Sequence, residues 1–372
     1  MKVESLVKII GADFYTGVPD SQLKALCNYL MDTYGIDQNH HIIAANEGNC
    51  TALAAGYHLA TGKVPVVYMQ NSGEGNIINP VASLLNDKVY AIPMIFIVGW
   101  RGEPGVHDEP QHRFMGRITE TIFDTLEVPH SVIDSNTTEE ELKAILTEAK
   151  KVLDDCRQYA LIVKKGTFEK RSGGKYENAY ALNREEAIKT ILTHVKDNDL
   201  IVSTTGKISR EVYEQSDIVL GGHAKSFLTV GGMGHASMIA YGIAVKRNDK
   251  HVICMDGDGA VMMHMGSLAF IGQNKPERFT HILLNNASHE SVGGMPTGAS
   301  GMQYADIAEK CGYDCVRTVR NEEELTKALD EIWDADGVSF LEVLVSLGSR
   351  DDLGRPKETA EENKIAFMKN ME

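Results

Sequence analysis

The triplet Gly257-Asp258-Gly259 sits in the run "MDGDGAVMMHMGSLAFIGQNKPERFTHILLNNAS", after an apolar β-rich stretch and before a helical one. Glycines at a strand-to-helix turn let backbone amides approach a ligand, and the start of a helix favours phosphate. Asp258 adds a hard carboxylate oxygen. A further 25 residues on, Asn285 and Asn286 close the next strand and bring amide oxygens. A carboxylate, an amide oxygen, a backbone carbonyl and phosphate oxygens make a magnesium shell rather than a zinc one. GDG alone is a common turn. GDG after one strand and NN after the next is far more specific.

Two acids in the first half are also placed for chemistry. Asp20, in "GVPDS", stands between a short apolar run and the amphipathic stretch "QLKALCNYLMD". Taken alone it reads as a helix cap, since aspartate accepts bonds from first-turn amides. Glu47, in "AANEGNCTALAAGYHLATG", opens a helix of small residues and alone reads as a partner for the helix dipole.

The elements that must position these residues follow one grammar: strand, loop, helix, repeated. "HIIAA", "VPVVYM", "IPMIFIVGW", "HSVIDS" and "YALIVKKG" are β-rich runs of the first half, most of them followed by a helical run or a polar loop. "DLIVSTTGK", "HVICMDGDGA", "THILLNN" and "SFLEVLVSL" do the same in the second. Such alternation predicts parallel sheets covered by helices, with ligands gathered at the carboxyl ends of the strands. The polar stretch from Thr167 onward reads as a linker. The expected organisation is α/β: two doubly wound parallel-sheet domains, 1–166 and 183–372, joined by 167–182.

The chain has 372 residues, 43 % hydrophobic and 24 % charged, with a formal net charge of -15. That charge argues against a nucleic-acid coat and requires a local basic cluster for any anionic substrate. No apolar run reaches membrane-spanning length, and "MKVESLVKIIGADF" lacks the apolar core of a signal peptide, so the expected location is cytoplasmic with no membrane partner. Six cysteines are scattered. Only Cys311 and Cys315 are close, without the second pair that zinc needs, so all read as reduced structural thiols.

The GDG-to-NN pattern resembles the diphosphate-and-magnesium motif of thiamine-diphosphate enzymes. The resemblance implies Asp258, Asn286 and the Ser288 carbonyl as metal ligands, with Gly257 and Gly259 beside the diphosphate. "GGMGHASMIAYGIAV" resembles the segment that props this cofactor, with the Gly231 carbonyl toward the aminopyrimidine and Met233 as the apolar wedge. "STTGKISRE", containing Thr205, resembles a diphosphate-side loop. Glu47 then takes the family's activating role: a desolvated glutamate shares a proton with the aminopyrimidine, which leads to the ylide and, after loss of carbon dioxide, an enamine. "MQNSGEGN" would pass close to the same ring.

Two such domains without a middle one resemble the phosphonopyruvate and sulfopyruvate decarboxylases, and "VGWRGEPGVHDEPQH" most resembles the former. The alternative from a different class is a non-catalytic thiamine-diphosphate sensor, which would have no use for Glu47. The resemblance makes Asp20 and His112 candidates for handling protons, with Arg101, His107 and Arg350 toward the substrate's second anionic group and Arg355 as a further basic candidate. Arginine suits a phosphonate because its fork binds two oxygens. It also implies a homodimer or higher homo-oligomer with sites shared between subunits. One departure is Val292, where pyruvate decarboxylases carry a glutamate; His289 and Glu290 are its neighbours.

Overall fold

The β-rich runs of the first half form one parallel sheet of β1 (Tyr15–Gly17), β2 (His41–Ile43), β3 (Val66–Gln70), β4 (Ile95–Gly99), β5 (His130–Ile133) and β6 (Tyr159–Val163). Its strand order is β2-β1-β3-β4-β6-β5, and every pairing is parallel. Apolar side chains point both ways from β3, β4 and β6, as a sheet covered on both faces requires. Leu23, Leu26 and Leu30 pack with Tyr68, Ile97 and Leu161 in one core. Cys50, Ala54 and Ile77 pack with Met69, Phe96 and Val98 in the other.

The second half forms a sheet of β7 (Asp199–Ser203), β8 (Ser226–Leu228), β9 (His251–Gly257), β10 (Arg278–Asn285), β11 (Cys315–Val319) and β12 (Gly337–Leu344). Its order is β8-β7-β9-β10-β12-β11, again parallel throughout. Numbered within its own half, each sheet runs 2-1-3-4-6-5. Two halves unlike in letters therefore share one topology. The edge strands β8 and β11 carry the weakest sequence signal: β8 has three residues, and β11 is mostly half-buried without clean alternation.

In such sheets a crevice opens where the strand order reverses, at the carboxyl ends. Here that point lies between β1 and β3 in the first half and between β7 and β9 in the second. Asp20 follows β1, and the segment from Asn71 follows β3. Thr205 follows β7, and Asp258 follows β9. The candidate residues sit where the topology predicts a ligand.

This computed structural model describes residues 1–173, 176–290, 294–298 and 301–371. It comprises two compact units: Met1–Lys175 with Val292–Met295, and Tyr176–Ser291 with Pro296–Glu372. The main division thus falls inside the stretch expected as a linker. Among the described residues, no helix is long and apolar enough to cross a membrane. All six cysteines are free.

Candidate active site

In the second unit β9 ends at Gly257, which caps the short helix Asp258–Met263. The Asp258 carboxylate is buried, and Oδ2 accepts a 2.6 Å bond from the Thr297 hydroxyl. Burial pushes its pKa up to about 6, against the pull of Thr297 and of backbone amides that include Asn286. Asp258 and the Asn286 backbone therefore meet, although 28 residues separate them. A buried carboxylate raised by desolvation, meeting the backbone of an asparagine turn, offers hard oxygen to a cation.

The turn after β10 fixes the two asparagines differently. Asn285 donates from Nδ2 to Glu342 at 2.8 Å and accepts from the Ala287 N–H at 3.0 Å, so its side chain serves the fold. The Asn286 Oδ1 accepts from the Ser288 N–H at 3.0 Å. Ala287 between them has φ of 57°, a left-handed conformation unfavourable to alanine and often found at functional turns. Val292 lies outside the described residues.

The props expected around this loop also come together. The Gly231 N–H donates to the Thr205 hydroxyl at 3.2 Å, and Gly231 has φ of 81°. A Cβ on Gly259 would lie 3.2 Å from the His289 ring and 3.4 Å from the Met233 methyl. Met233 is 37 % exposed, unusual for a methionine serving only as core. His289 is buried, and desolvation pushes its pKa down to about 4, which keeps the ring neutral. Glu290 is drawn the other way. Burial raises it, but Arg184 and Lys207 outweigh burial and hold its carboxyl below the ordinary value. An ionised, doubly paired Glu290 is a poor proton donor.

In the first unit Glu47 opens the helix Glu47–Thr61, whose cap is Asn46, accepting from the Asn49 N–H. Glu47 is 4 % exposed, and burial raises its pKa against a bond from Asn76. Asn76 Nδ2 donates to Oε2 at 2.7 Å. Gly73 lies flat against the same carboxyl: a Cβ there would fall 2.4 Å from Oε1. The segment "MQNSGEGN" is thus the cradle of Glu47, and a side chain at position 73 would displace the Glu47 carboxyl.

Asp20 is fully buried. Oδ2 accepts from the Gln22 and Leu23 amides at 3.0 and 3.1 Å, and Oδ1 from Gln70 Nε2 at 2.6 Å. Gly99 approaches so closely that a Cβ would lie 2.1 Å from Oδ2. Burial raises the Asp20 pKa, partly offset by these bonds and by the charge of Arg101. The capping role read from sequence is corrected: the helix Lys24–Tyr34 starts after Leu23 with no side-chain cap, so Asp20 Oδ2 instead closes the turn before it, while Oδ1 is held by Gln70.

The basic candidates differ in their freedom. Arg101 places Nε 2.8 Å from Asp108 Oδ2, adds a second bond to Oδ1, and reaches Ser21 Oγ at 3.1 Å. His107 is exposed on the same loop, and His112 is half-buried, its pKa lowered by burial and by Arg101. Arg350 is committed to Glu185, Glu214 and Asp352. Three carboxylates around one guanidinium leave it poorly placed to receive an anion.

Several residues here gave no sequence signal. Thr297 and Asn76 are ordinary polar residues whose roles depend on the acids they meet. Glu74 is fully buried, neither oxygen makes a well-formed hydrogen bond among the described residues, and desolvation pushes its pKa up to about 9 against a weak contact with Thr119. It is a neutral acid next in sequence to Gly73. Arg184 donates to both oxygens of Glu211 at 2.7 Å within a buried cluster. Cys254, Asp256 and His281 also meet inside the second sheet, with His281 Nε2 3.4 Å from Asp256 Oδ2.

Residues 3–125 match the family described as thiamine pyrophosphate enzyme, N-terminal TPP binding domain, and residues 218–343 match its C-terminal TPP binding domain. The chain is 33 % identical over 370 residues to a phosphonopyruvate decarboxylase of Streptomyces viridochromogenes, covering 95 % of this chain and 90 % of that protein. It is 32 % identical over 372 residues to a phosphonopyruvate decarboxylase of Streptomyces hygroscopicus, covering 94 % and 88 %. A sulfopyruvate decarboxylase of Methanosarcina acetivorans is 24 % identical over 391 residues, covering 98 % and 95 %.

Proposed function

Because the chain belongs to the family of thiamine-diphosphate-dependent decarboxylases that holds the phosphonopyruvate decarboxylases, we propose that it converts 3-phosphonopyruvate to phosphonoacetaldehyde and carbon dioxide. The observation that carries this reading is the Glu47 carboxyl, desolvated at a helix start with one oxygen bonded to Asn76 and the other flush against Gly73. Burial disfavours the charged form, so such a carboxyl holds a proton readily and can share it with a ring nitrogen.

Thiamine diphosphate, when bound, supplies the electron sink that a 2-oxo acid needs to lose carbon dioxide. The residues that would hold its diphosphate and a magnesium-class ion are Asp258, Asn286 and Ser288, with Gly257, Gly259 and Thr205. The buried Asp258 carboxylate supports that assignment because it has the hard oxygen and, among the described residues, its bonds come from the Thr297 hydroxyl and backbone amides rather than from a cationic side chain. Met233 and Gly231 would support the rings. Glu47 would hold the proton.

The substrate's second anionic group would be met from the loop of Arg101, His107 and His112. Arg101 keeps part of its guanidinium outside the Asp108 pair, so it can turn toward a phosphonate at the cost of one bond. Remote binding of that group would position the reacting carbon. Asp20 would reach a substrate proton only by giving up its bond from Gln70 or from the Gln22 and Leu23 amides. We take the working unit to be a homo-oligomer in which Glu47 and Asp258 of one site come from different copies. Mixing inactive Glu47→Ala and Asp258→Ala chains should then restore some activity, and none after proven exchange would reject the shared site.

The decisive experiment is competition among phosphonopyruvate, sulfopyruvate and pyruvate in a coupled assay with cofactor and magnesium. Preference for phosphonopyruvate is expected. Preference for sulfopyruvate or pyruvate would overturn the substrate assignment while leaving the decarboxylase reading intact.

A further inference from the structure

We infer that Glu290 is a positioning residue that sets the orientation of the Asn286 amide, and so determines which end of that side chain faces the cation. This rests on the reading of Asn286 as a metal ligand. A primary amide is nearly symmetrical in shape but not in chemistry: its oxygen ligates a hard cation, and its nitrogen carries only donors. Something must prevent the flipped arrangement. Asn286 Nδ2 donates to Glu290 Oε2 at 2.9 Å, while Oδ1, on the other side, takes the Ser288 N–H and keeps a second lone pair. A carboxylate accepts and never donates, so it distinguishes nitrogen from oxygen without ambiguity.

Glu290 is itself held hard. Arg184 Nη1 reaches Oε2 at 2.6 Å, and Lys207 Nζ reaches Oε1 at 2.7 Å. The other edge of Arg184 is fixed by its paired bonds to Glu211. The side chains of Arg184 and Glu211 are 4 % and 1 % exposed, and that of Glu290 is 13 % exposed. Buried ion pairs of this kind add little to stability, because desolvation offsets the attraction. What they do provide is a fixed direction.

The topology explains why the tether is built from these residues. Lys207 opens the helix after β7, and Asn286 and Glu290 follow β10. Between β7 and β10 in the sheet lies β9, which ends at Gly257, one residue before Asp258. The Lys207–Glu290–Asn286 chain therefore ties together the two loops that flank the Asp258 loop. Partners of this kind that orient metal ligands typically change metal affinity 10- to 100-fold when removed.

A double-mutant cycle separates orientation from mere support of the fold. Magnesium affinity of the full chain is measured by calorimetry in saturating thiamine diphosphate, with unfolding of the cofactor-free chain followed in parallel. Glu290→Ala should weaken magnesium binding about 10- to 100-fold. In an Asn286→Asp background the two side-chain oxygens are equivalent and no flip exists, so the same Glu290→Ala change should cost less than about 3-fold. An equal loss in both backgrounds, or no loss with Asn286 intact, would overturn the inference. Unchanged magnesium affinity in Asn286→Ala would instead reject Asn286 as a ligand, which is a separate failure. If Glu290→Ala does not fold, Glu290→Met fills the volume without an acceptor and carries the same cycle.

Discussion

Replacing Glu74 with glutamine should make the protein more stable, and increasingly so as the pH rises. Glu74 is fully buried, neither oxygen makes a well-formed hydrogen bond among the described residues, and its pKa rises from the ordinary 4.5 to about 9 despite a weak contact with Thr119. The unfolded chain ionises this group near 4.5, whereas the folded chain keeps it protonated to about 9. Between those values the native state binds more protons than the unfolded one, so native stability falls as pH rises through the window. Below it both states are protonated and no penalty exists; above it the penalty is constant.

Each pH unit inside the window is worth about 1.4 kcal/mol. The penalty is therefore about 1 kcal/mol at pH 5 and about 5 kcal/mol at pH 8. Glu74→Gln preserves the shape and cannot ionise, so the variant escapes the whole pH-dependent part. Urea unfolding of parent and variant at pH 5, 6, 7 and 8 reads this directly, because every other titrating group is common to both and cancels in the difference. The gap should widen by about 4 kcal/mol from pH 5 to pH 8. A gap that stays flat with pH would mean that Glu74 ionises normally in the folded protein, and the reasoning from its burial would be wrong.

Glu47→Gln keeps the side chain's shape but not its proton, so thiamine diphosphate should still bind while deuterium exchange at the thiazolium carbon slows at least about 100-fold; parental exchange would remove Glu47 from the chemistry. Gly73→Ala drives a methyl to 2.4 Å from Glu47 Oε1, so the carboxyl must move. A stability loss of about 1–3 kcal/mol is expected with a larger loss of exchange than of cofactor affinity, and unchanged exchange would show that the close approach is unimportant. Asp258→Ala deletes the one carboxylate of the proposed metal set, so cofactor affinity should collapse with folding intact, and calorimetry showing parental affinity would refute the metal assignment.

The acids were legible in sequence because their types and spacing repeat a strand-loop-helix grammar. Asp258, Asn286 and Glu47 each sit one to four residues beyond a strand, where a parallel sheet puts its ligand loops. What the sequence hides is who meets them. Asn76 reaches Glu47 across 29 positions, and Thr297 reaches Asp258 across 39. Nothing local distinguishes either from a solvated polar residue. The arginines were misleading for a related reason: Arg350 looks free in "GSRDDLGRP", but Glu185 and Glu214, far away in sequence, have already claimed its fork. A charge in a loop is a ligand only if folding leaves it unpaired, and pairing is a tertiary fact. Glu74 shows the converse, an acid with no sequence signal of its own that folding buries.

The shared strand order gives this division of labour a physical reason. Each unit opens a crevice at the same point, between its first and third strands, and the same topology serves opposite electrostatic tasks. In the first unit the crevice residues are acids deprived of solvent: Glu47 and Asp20 have raised pKa values, and Glu74 at about 9 sits in the same segment as Gly73. Such surroundings favour neutral forms and proton sharing. In the second unit Lys207 and Arg184, each opening a helix, are locked onto Glu290, and Asp258 is a buried carboxylate. These surroundings keep charge, and suit a metal bridging to phosphate. A weakly basic ring suits the first environment and a diphosphate suits the second, and one strand order with different loops supplies each.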